Sequence, residues 1–288
     1  QMSLEKFFHL KENNTTVKTE IMAGVTSFMT MAYILAVNPN ILAAAGMDHG
    51  AVFTATAVAS FIGTLCMALF ANYPFALAPG MGLNAYFAYT VVLGMGYSWE
   101  VALAAVLTEG IIFIILSCFN IREAIFNAIP FNLKKAVSVG IGLFITFLGL
   151  QNAKIVIGGA TLVGLFSVDG YNKTLADGLT ASMSDAGITV LLAIFGVLIT
   201  GILIVKNVKG NILWGILITW ILGIVCQFAG IYIPNPDLGF YNLLPDFSNG
   251  ISIPSLAPIM FKFSLKGVPV LEFIIIVFAF LFVDLFDT

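Results

Sequence analysis

The chain alternates between long apolar runs and short polar breaks, and the runs have the length of a bilayer crossing. An α-helix rises about 1.5 Å per residue, so about 20 apolar residues cross a hydrocarbon core of about 30 Å. Seven apolar runs of this length are uninterrupted, and an eighth, residues 75–95, is interrupted. The pattern predicts an all-α polytopic membrane protein. The seven uninterrupted runs are residues 21–38, 51–71, 98–119, 136–151, 188–205, 211–230 and 269–287.

The interrupted run contains residues that break a helix within an apolar stretch. Pro79 lacks a backbone donor, and Gly80 and Gly82 weaken helix propagation. Backbone groups cannot stay unpaired against lipid, so an irregular segment at membrane depth must be buried in protein or line a cavity. Many secondary transporters build their substrate sites from broken helices of this kind. The run therefore predicts a substrate site within the membrane.

The polar and aromatic residues of this run suit a planar heterocyclic ligand. The amide of Asn84 offers donors and an acceptor to a ring edge, and Tyr86 or Phe87 can stack on a ring. Gly82 allows the backbone to approach closely. The alternative is helix packing through small residues, which explains the glycines and leaves Pro79 and Asn84 unexplained.

Two carboxylates near the end of the chain lie within the last apolar run. Asp284 and Asp287 are one helical turn apart on one face. Carboxylates inside a spanning segment are costly and by default indicate function, here the loading and release of a proton. The alternative is that the run ends near the membrane surface and one carboxylate lies in water. The balance favours function for Asp287 and is even for Asp284.

Other polar residues lie within the runs and have a structural alternative. Glu109, midway along residues 98–119, is predicted to form a structural hydrogen bond to a neighbouring helix in its protonated form. Thr30 and Tyr33 lie on one face of the first run. They either line the cavity or, for the threonine, bond back to their own helix. Pro39 is predicted to end that helix.

Composition and charge agree with a membrane protein. The chain is 60% hydrophobic and 9% charged, with a mean hydropathy of +1.03, which excludes an ordinary soluble domain. If every run crosses, eight Lys and Arg residues lie on the side of the N-terminus and four on the other. This bias predicts a cytoplasmic N-terminus in a multi-pass protein of the cell membrane. No ATPase, nucleophile or metal-ligand motif is present, so we expect neither an enzyme nor a metal or other cofactor, and no nucleic-acid partner.

Three segments carry a family resemblance. Residues 20–39, 76–87 and 282–288 resemble the adenine/guanine/hypoxanthine permeases, a branch of the nucleobase–cation symporter-2 (xanthine/uracil permease) family. The match runs along essentially the whole chain in order. It implies fourteen spans in two inverted repeats of seven, arranged as a core domain and a gate domain. The third span would be a short strand followed by a half-helix, at residues 76–95.

The resemblance also implies a domain plan for this chain. The chain would contain the first repeat and the start of the eighth span, and its end within an apolar run predicts a fragment of a longer protein. The implied parts are a cytoplasmic segment (1–20), core spans one to four (21–120), gate spans five to seven (130–230), an extracellular or periplasmic loop (231–268) and the start of span eight (269–288).

The function implied is proton-coupled uptake of adenine, guanine or hypoxanthine by alternating access. Asp287 would bind the base, Asp287 or Asp284 would carry the proton, and the third span would contact the base. The driving ion would be H⁺. The partners would be a purine base and the lipid bilayer, and the apolar surface permits a homodimer. An anion transporter of the same architecture and an inactive half-transporter are the alternatives. The implied third-span contacts are Gly82, Asn84, Ala85 and Tyr86.

Overall fold

The computed structural model describes residues 7–119, 127–159, 162–175, 178–244 and 252–287, without the side chains of Ser138, Phe286 and Asp287. Most of this chain is helical. Two helices continue into π-helical turns, at Met67–Ala71 and Tyr86–Gly94, and a third π-helical turn, Met183–Gly187, leads into another. The α-helices are α1 (Val17–Met31), α2 (Ile34–Ala44), α3 (His49–Cys66), α4 (Met81–Ala85), α5 (Trp99–Cys118), α6 (Phe131–Asn152), α7 (Val168–Thr174), α8 (Ile188–Val205), α9 (Asn211–Phe228) and α10 (Val270–Asp287).

Within the described residues, six helical segments are long and apolar enough to cross a membrane. Helix α10 adds an apolar helix of 18 residues that also contains three acidic residues. Large apolar side chains such as Phe70, Phe195 and Phe228 are exposed on these helices, as expected of surfaces that face lipid. The prediction of a polytopic helical membrane protein is confirmed. The six segments are Val17–Ala44, His49–Ala71, Trp99–Cys118, Phe131–Asn152, Met183–Val205 and Asn211–Phe228.

The prediction that Pro39 ends the first helix is wrong. Helix α2 passes through Pro39 and continues to Ala44, where it ends in a turn at Gly46 with φ of +87°. The interruption lies upstream instead, at residues 32–33, between α1 and α2. Pro39 lacks the amide that would bond to the Leu35 carbonyl four residues earlier, but the loss of one hydrogen bond does not end the helix.

The interrupted run forms an irregular segment followed by a helix. Residues 72–80 have no regular secondary structure, and helix α4 starts after Gly80 and continues as the π-helical turn. The short strand predicted for this span is not formed by the described residues, since residues 72–80 pair with no other strand there. The hydroxyl of Thr64 takes the place of a strand partner: it accepts from the amide of Leu77 at 2.9 Å and donates to the Leu77 carbonyl at 3.3 Å.

Residues 153–182 add a small β-element to the predicted all-α fold. Strands β1 (Val156–Gly158) and β2 (Val163–Leu165) pair antiparallel, with Ile157 opposite Gly164. Helix α7 packs against β1 and is capped by the hydroxyl of Ser167, which accepts from the amide of Gly170. Strands this short lie between the apolar runs and leave no periodic signal in the sequence.

The chain divides into two compact units, each described here by itself. The first falls within Gln1–Gly24, Met31–Phe144 and Ile253–Thr288, and the second within Val25–Thr30 and Ile145–Ser252. In the first unit α2 packs on α3 and α4, and α10 packs on α4 and α5. The most buried large side chains there are Ile41, Val52, Val91, Val101, Ile276 and Phe280.

The second unit is built on the pair α8 and α9, which approach closely through glycines. A Cβ at Gly196 would lie 2.5 Å from the Thr219 hydroxyl, and a Cβ at Gly215 would clash with Thr200. Each threonine also donates to the carbonyl of the glycine four residues before it: Thr200 to Gly196 at 2.8 Å and Thr219 to Gly215 at 2.7 Å. Glycine at these two positions therefore allows the helices to meet at short range.

Asp185 joins the start of this helix pair to the following loop. Its carboxylate accepts from the amides of Ser182, at 2.7 Å, and Ala186, and from the side chain of Asn235 at 3.1 Å. Burial raises the pKa of the Tyr171 and Tyr232 phenols nearby, and the negative charge of Asp185 raises it further. This buried carboxylate has a structural role.

Candidate functional site

Asn84, on helix α4 of the interrupted run, belongs to a chain of buried amide and hydroxyl groups. Its side-chain nitrogen donates to the side-chain oxygen of Asn38 at 2.6 Å. The nitrogen of Asn38 in turn donates to the Thr56 hydroxyl at 2.7 Å, and that hydroxyl donates to the carbonyl of Val52 at 2.8 Å. Asn38 and Thr56 are 3% and 2% exposed. We call Asn84, Asn38 and Thr56 the amide chain.

The amide chain determines which way the Asn84 side chain faces. The hydroxyl proton of Thr56 is used by Val52, so Thr56 can only accept from Asn38, and the Asn38 oxygen can only accept from Asn84. This fixes the orientation of both amides. Within the described part of the chain, the Asn84 oxygen accepts no hydrogen bond, so Asn84 presents an acceptor and a second N–H.

The helix that carries Asn84 begins without a side-chain cap. Gly80, in extended conformation, precedes the helix, and no side chain accepts from its first amides. The amide of Asn84 is the first to bond within the helix, to the Gly80 carbonyl at 3.3 Å. The amides of Met81, Gly82 and Leu83 come before it and have no partner within the helix. A helix start of this kind supplies N–H donors to a bound group.

Tyr86 packs against helix α10. Its ring meets the ring of Phe280 edge to face, with centroids 5.1 Å apart and planes at 89°. Phe280 is fully buried, while Tyr86 is half-buried. The neighbouring Ala85 and Phe87 are 3% and 4% exposed, so Phe87 is closed off by packing. Of the two rings predicted to stack on a ligand, Tyr86 is the one with accessible surface.

A pair of acidic residues lies where α5 packs on α10. Glu109 is 3% exposed, and within the part of the chain that the structure describes its Oε1 has no hydrogen-bond partner. Asp284 is half-buried and close enough to Glu109 for their carboxyl groups to interact electrostatically. The structural hydrogen bond predicted for Glu109 is therefore not made by Oε1, and its recorded neighbour is a second acid.

The remaining predicted site residues are placed less directly. The side chain of Asp287, at the end of α10, lies outside the described residues, so its predicted role stays a prediction. The hydroxyl of Thr30 donates to the Ser27 carbonyl of its own helix at 2.8 Å, which is the structural alternative. Tyr33 is half-buried at the turn between α1 and α2. Of the described residues, no group of three His, Cys, Asp or Glu is arranged to hold a metal ion.

Asn38 and Thr56 were missed as functional candidates. Asn38 directly precedes Pro39, and Thr56 lies within the uninterrupted apolar run 51–71. The available signal was a lone amide and a lone hydroxyl inside two separate spans. A side chain of either kind costs free energy there unless it is paired.

Comparisons with known proteins agree with this architecture. Residues 18–288 match the model of the Permease family (Xan_ur_permease). A permease of Methanocaldococcus jannaschii is 46% identical over 286 residues, which is 99% of this chain and 58% of that protein. The guanine/hypoxanthine permease PbuO of Bacillus subtilis is 41% identical over 98% of this chain and 59% of its own length. The adenine permease AdeP of Escherichia coli is 38% identical over 92% and 56%.

The family match covers nearly the whole chain, whereas the chain spans less than two thirds of the length of these relatives. The family and its relatives are membrane permeases and not enzymes. With its helical spans, its interrupted apolar run and this similarity, the chain belongs to the Permease family.

Proposed function

We propose that this chain belongs to a proton-coupled transporter that takes up purine nucleobases by alternating access. The observation that carries the proposal is the oriented Asn84 amide beside an uncapped helix start, within an apolar segment. Two relatives are named for adenine and for guanine/hypoxanthine, and both are similar along more than nine tenths of this chain.

The site chemistry suits a purine edge. Adenine, guanine and hypoxanthine all carry a ring N–H beside a ring nitrogen acceptor. The Asn84 oxygen would accept from the N–H, and its second amide hydrogen would donate to the ring nitrogen. The amides of Gly82 and its neighbours would approach the base closely, Ala85 would form the wall behind them, and the accessible face of Tyr86 would contact the ring.

Asp287 would complete the site from helix α10. Helices α4 and α10 pack together, and the Tyr86–Phe280 contact lies at their interface. A carboxylate at the end of α10 would accept a second N–H from the base. Tyr33 would line the path to the site.

The transporter would lie in the cell membrane with its N-terminus in the cytoplasm. The excess of Lys and Arg on that side supports this orientation. The proton would be carried by a membrane-embedded carboxylate, since such groups are costly in a bilayer and by default indicate a functional site.

An anion transporter of the same architecture remains the second candidate. The uncapped start of helix α4 is compatible with an anion, because its N–H groups are donors. Asp284 and Glu109 argue against it, since negative charge in the same unit repels an anionic substrate. We therefore favour the neutral purine.

The test is uptake of radiolabelled hypoxanthine, adenine and guanine in cells that lack their own purine permeases. The protein expressed from its gene should accumulate at least one base, and a protonophore should abolish the accumulation. Asp287→Ala should abolish uptake, while Asp237→Ala, at an exposed loop position, should leave it unchanged. Undiminished uptake by Asp287→Ala at equal expression would remove Asp287 from the site.

A further inference from the structure

Glu109 and Asp284 lie on the facing surfaces of two packed helices. On α5, Val101, Ala105 and Glu109 follow one another at intervals of four residues, and all three are at most 3% exposed. On α10, Ile276 and Phe280 are fully buried, and Asp284 follows at the same interval. Residues four apart share a helix face. Both acids therefore continue the apolar surface through which the helices pack.

The ends of the same two helices show that the acids are level with each other. The hydroxyl of Tyr97 donates to the carboxylate of Glu272, and the Ser264 amide donates to the Glu100 carbonyl at 3.3 Å, so both helices start at the same level. Glu109 is twelve residues after Tyr97, and Asp284 is twelve residues after Glu272. Apart from Tyr97 and Ser98, which precede α5, these residues are helical and rise by about 1.5 Å each in the same direction. This register brings the two carboxyl groups together.

The environment of Glu109 does not satisfy an ionised carboxylate. Among the described residues, no donor bonds to the buried Oε1, and the charge that acts on Glu109 there is that of another carboxylate, Asp284. Burying an ionised carboxylate without a partner costs several kcal/mol. Two adjacent carboxyl groups avoid this cost by holding one proton between them, as an O–H donor and an acceptor.

The other ionisable groups on the packed elements are engaged elsewhere or lie at a different level. Helix α5 packs against α10 and against the π-helical turn Tyr86–Gly94. On these elements, Tyr86 packs on Phe280, Glu272 pairs with Tyr97, and Glu100 lies in the first turn of α5. Tyr89 is exposed, and the side chain of Asp287 lies outside the described residues. No Lys or Arg occurs on α5, α10 or that turn.

We propose that Glu109 and Asp284 together form the proton-carrying site of this transporter, with Glu109 as the residue that makes proton binding possible. This rests on the proposed proton-coupled uptake. One proton enters from the outer side and binds one carboxylate of the pair, which then donates an O–H to the other. The same proton leaves to the cytoplasm after the base is released. The base itself binds at Asn84 and Asp287, so proton and substrate occupy neighbouring groups.

A change at Glu109 should affect accumulation of the base against a gradient and leave exchange of base across the membrane nearly unaffected. Glu109→Gln keeps the size of the side chain and supplies a permanent N–H donor to Asp284, so it imitates the protonated pair. This variant should lose uptake against a gradient at least tenfold, and its uptake should no longer depend on external pH between about 5 and 8 or on a protonophore. Exchange of internal unlabelled for external labelled base should stay within about twofold of wild type. Glu100→Gln, on the same helix, is the matched control and should remain fully coupled.

The outcomes distinguish this inference from the proposed function. If the wild-type protein transports no purine, or transports it without sensitivity to a protonophore, the proposed function fails first. If wild type is coupled and Glu109→Gln also accumulates base with the wild-type pH profile, Glu109 does not carry the proton and the inference is overturned. It is equally overturned if Glu109→Gln, at normal abundance in the membrane, loses exchange together with accumulation. Glu109→Asp, which keeps the carboxyl group, should retain pH-dependent accumulation at a reduced rate.

Discussion

Asn38 accepts a hydrogen bond of 2.6 Å from Asn84 and thereby connects helix α2 to the helix of the interrupted run. The two residues are 46 positions apart in the sequence, and Asn38 is itself tied to Thr56. Because the Asn38 oxygen faces Asn84, the Asn84 oxygen faces away from it. The polar chemistry of the proposed site therefore depends on a residue that need not touch the substrate.

Replacing Asn38 should weaken substrate binding through Asn84. In Asn38→Ala the Asn84 amide loses its acceptor and is free to rotate, which should cost about 1–2 kcal/mol, or a five- to thirty-fold rise in KM for the base. Asn40→Ala is the control, because Asn40 is exposed on the same helix and its side chain bonds to His49. Uptake kinetics at matched expression give the KM of both variants, Asn38→Ala and Asn40→Ala.

A double-mutant cycle distinguishes positioning by Asn38 from a separate structural effect. Asn84→Ala should raise KM at least tenfold, and Asn38→Ala added to it should raise KM no further, because the oriented amide is already gone. Strictly additive effects in this cycle would show that Asn38 does not act through Asn84.

The irregular segment before α4 should depend on Thr64. Thr64→Val keeps the side-chain shape and removes both hydrogen bonds to Leu77, leaving a backbone amide and carbonyl unpaired. We expect a loss of about 1–3 kcal/mol of stability, seen as a lower midpoint of thermal unfolding in detergent. Thr108→Val should be nearly neutral, since the Thr108 hydroxyl donates to the Ala104 carbonyl of its own helix. Equal midpoints for both variants would contradict this role.

The contact between α4 and α10 should contribute strongly to the stability of the first unit. Phe280→Ala removes a fully buried ring that packs on Tyr86 and should destabilise the protein by about 3–5 kcal/mol. Phe278→Ala, two residues earlier and 66% exposed, should change the midpoint little. The midpoints of thermal unfolding of the two purified variants are compared. A similar decrease in both would show that burial of a ring on α10 does not determine its contribution to stability.

Asp185 should stabilise the second unit without affecting substrate affinity. Asp185→Ala leaves the amides of Ser182 and Ala186 and the side chain of Asn235 without their acceptor, at a cost of about 2 kcal/mol or more. Asp169→Ala removes an exposed acid and serves as the control. Limited proteolysis within residues 231–244 should accelerate in the first variant alone. A raised KM for the base in Asp185→Ala, with normal proteolysis, would contradict a structural role.

Most helices could be predicted because apolar runs of bilayer length have few other structures available. Residues 98–119 and 188–205, for example, correspond to Trp99–Cys118 and Ile188–Val205. The irregular segment at Pro79 and Gly80 was predictable for the same reason, since both residues act locally. The predicted strand there was wrong because a strand needs a second strand as its hydrogen-bonding partner, and the described residues place none beside residues 72–80.

The pairing of polar side chains could not be predicted from one sequence. Asn38 with Asn84, and Glu109 with Asp284, are joined by the packing of helices that are far apart along the chain. Each residue alone is compatible with a helix end, a packing contact or a site. The hydrogen bond predicted for Glu109 stays a prediction for Oε2, and the sequence alone could not indicate that the helix facing Glu109 presents an acid.

The site at Asn84 is proposed to bind a neutral purine. Equilibrium binding of purines to the purified protein shows whether it does. Radiolabelled hypoxanthine and adenine should be titrated onto the protein expressed from its gene, with sulfate and unlabelled purines as competitors. We expect saturable binding that unlabelled purine displaces and sulfate leaves unchanged, and we expect Asn84→Ala to weaken that binding at least tenfold. Displacement by sulfate, or no saturable purine binding by a folded protein, would contradict it.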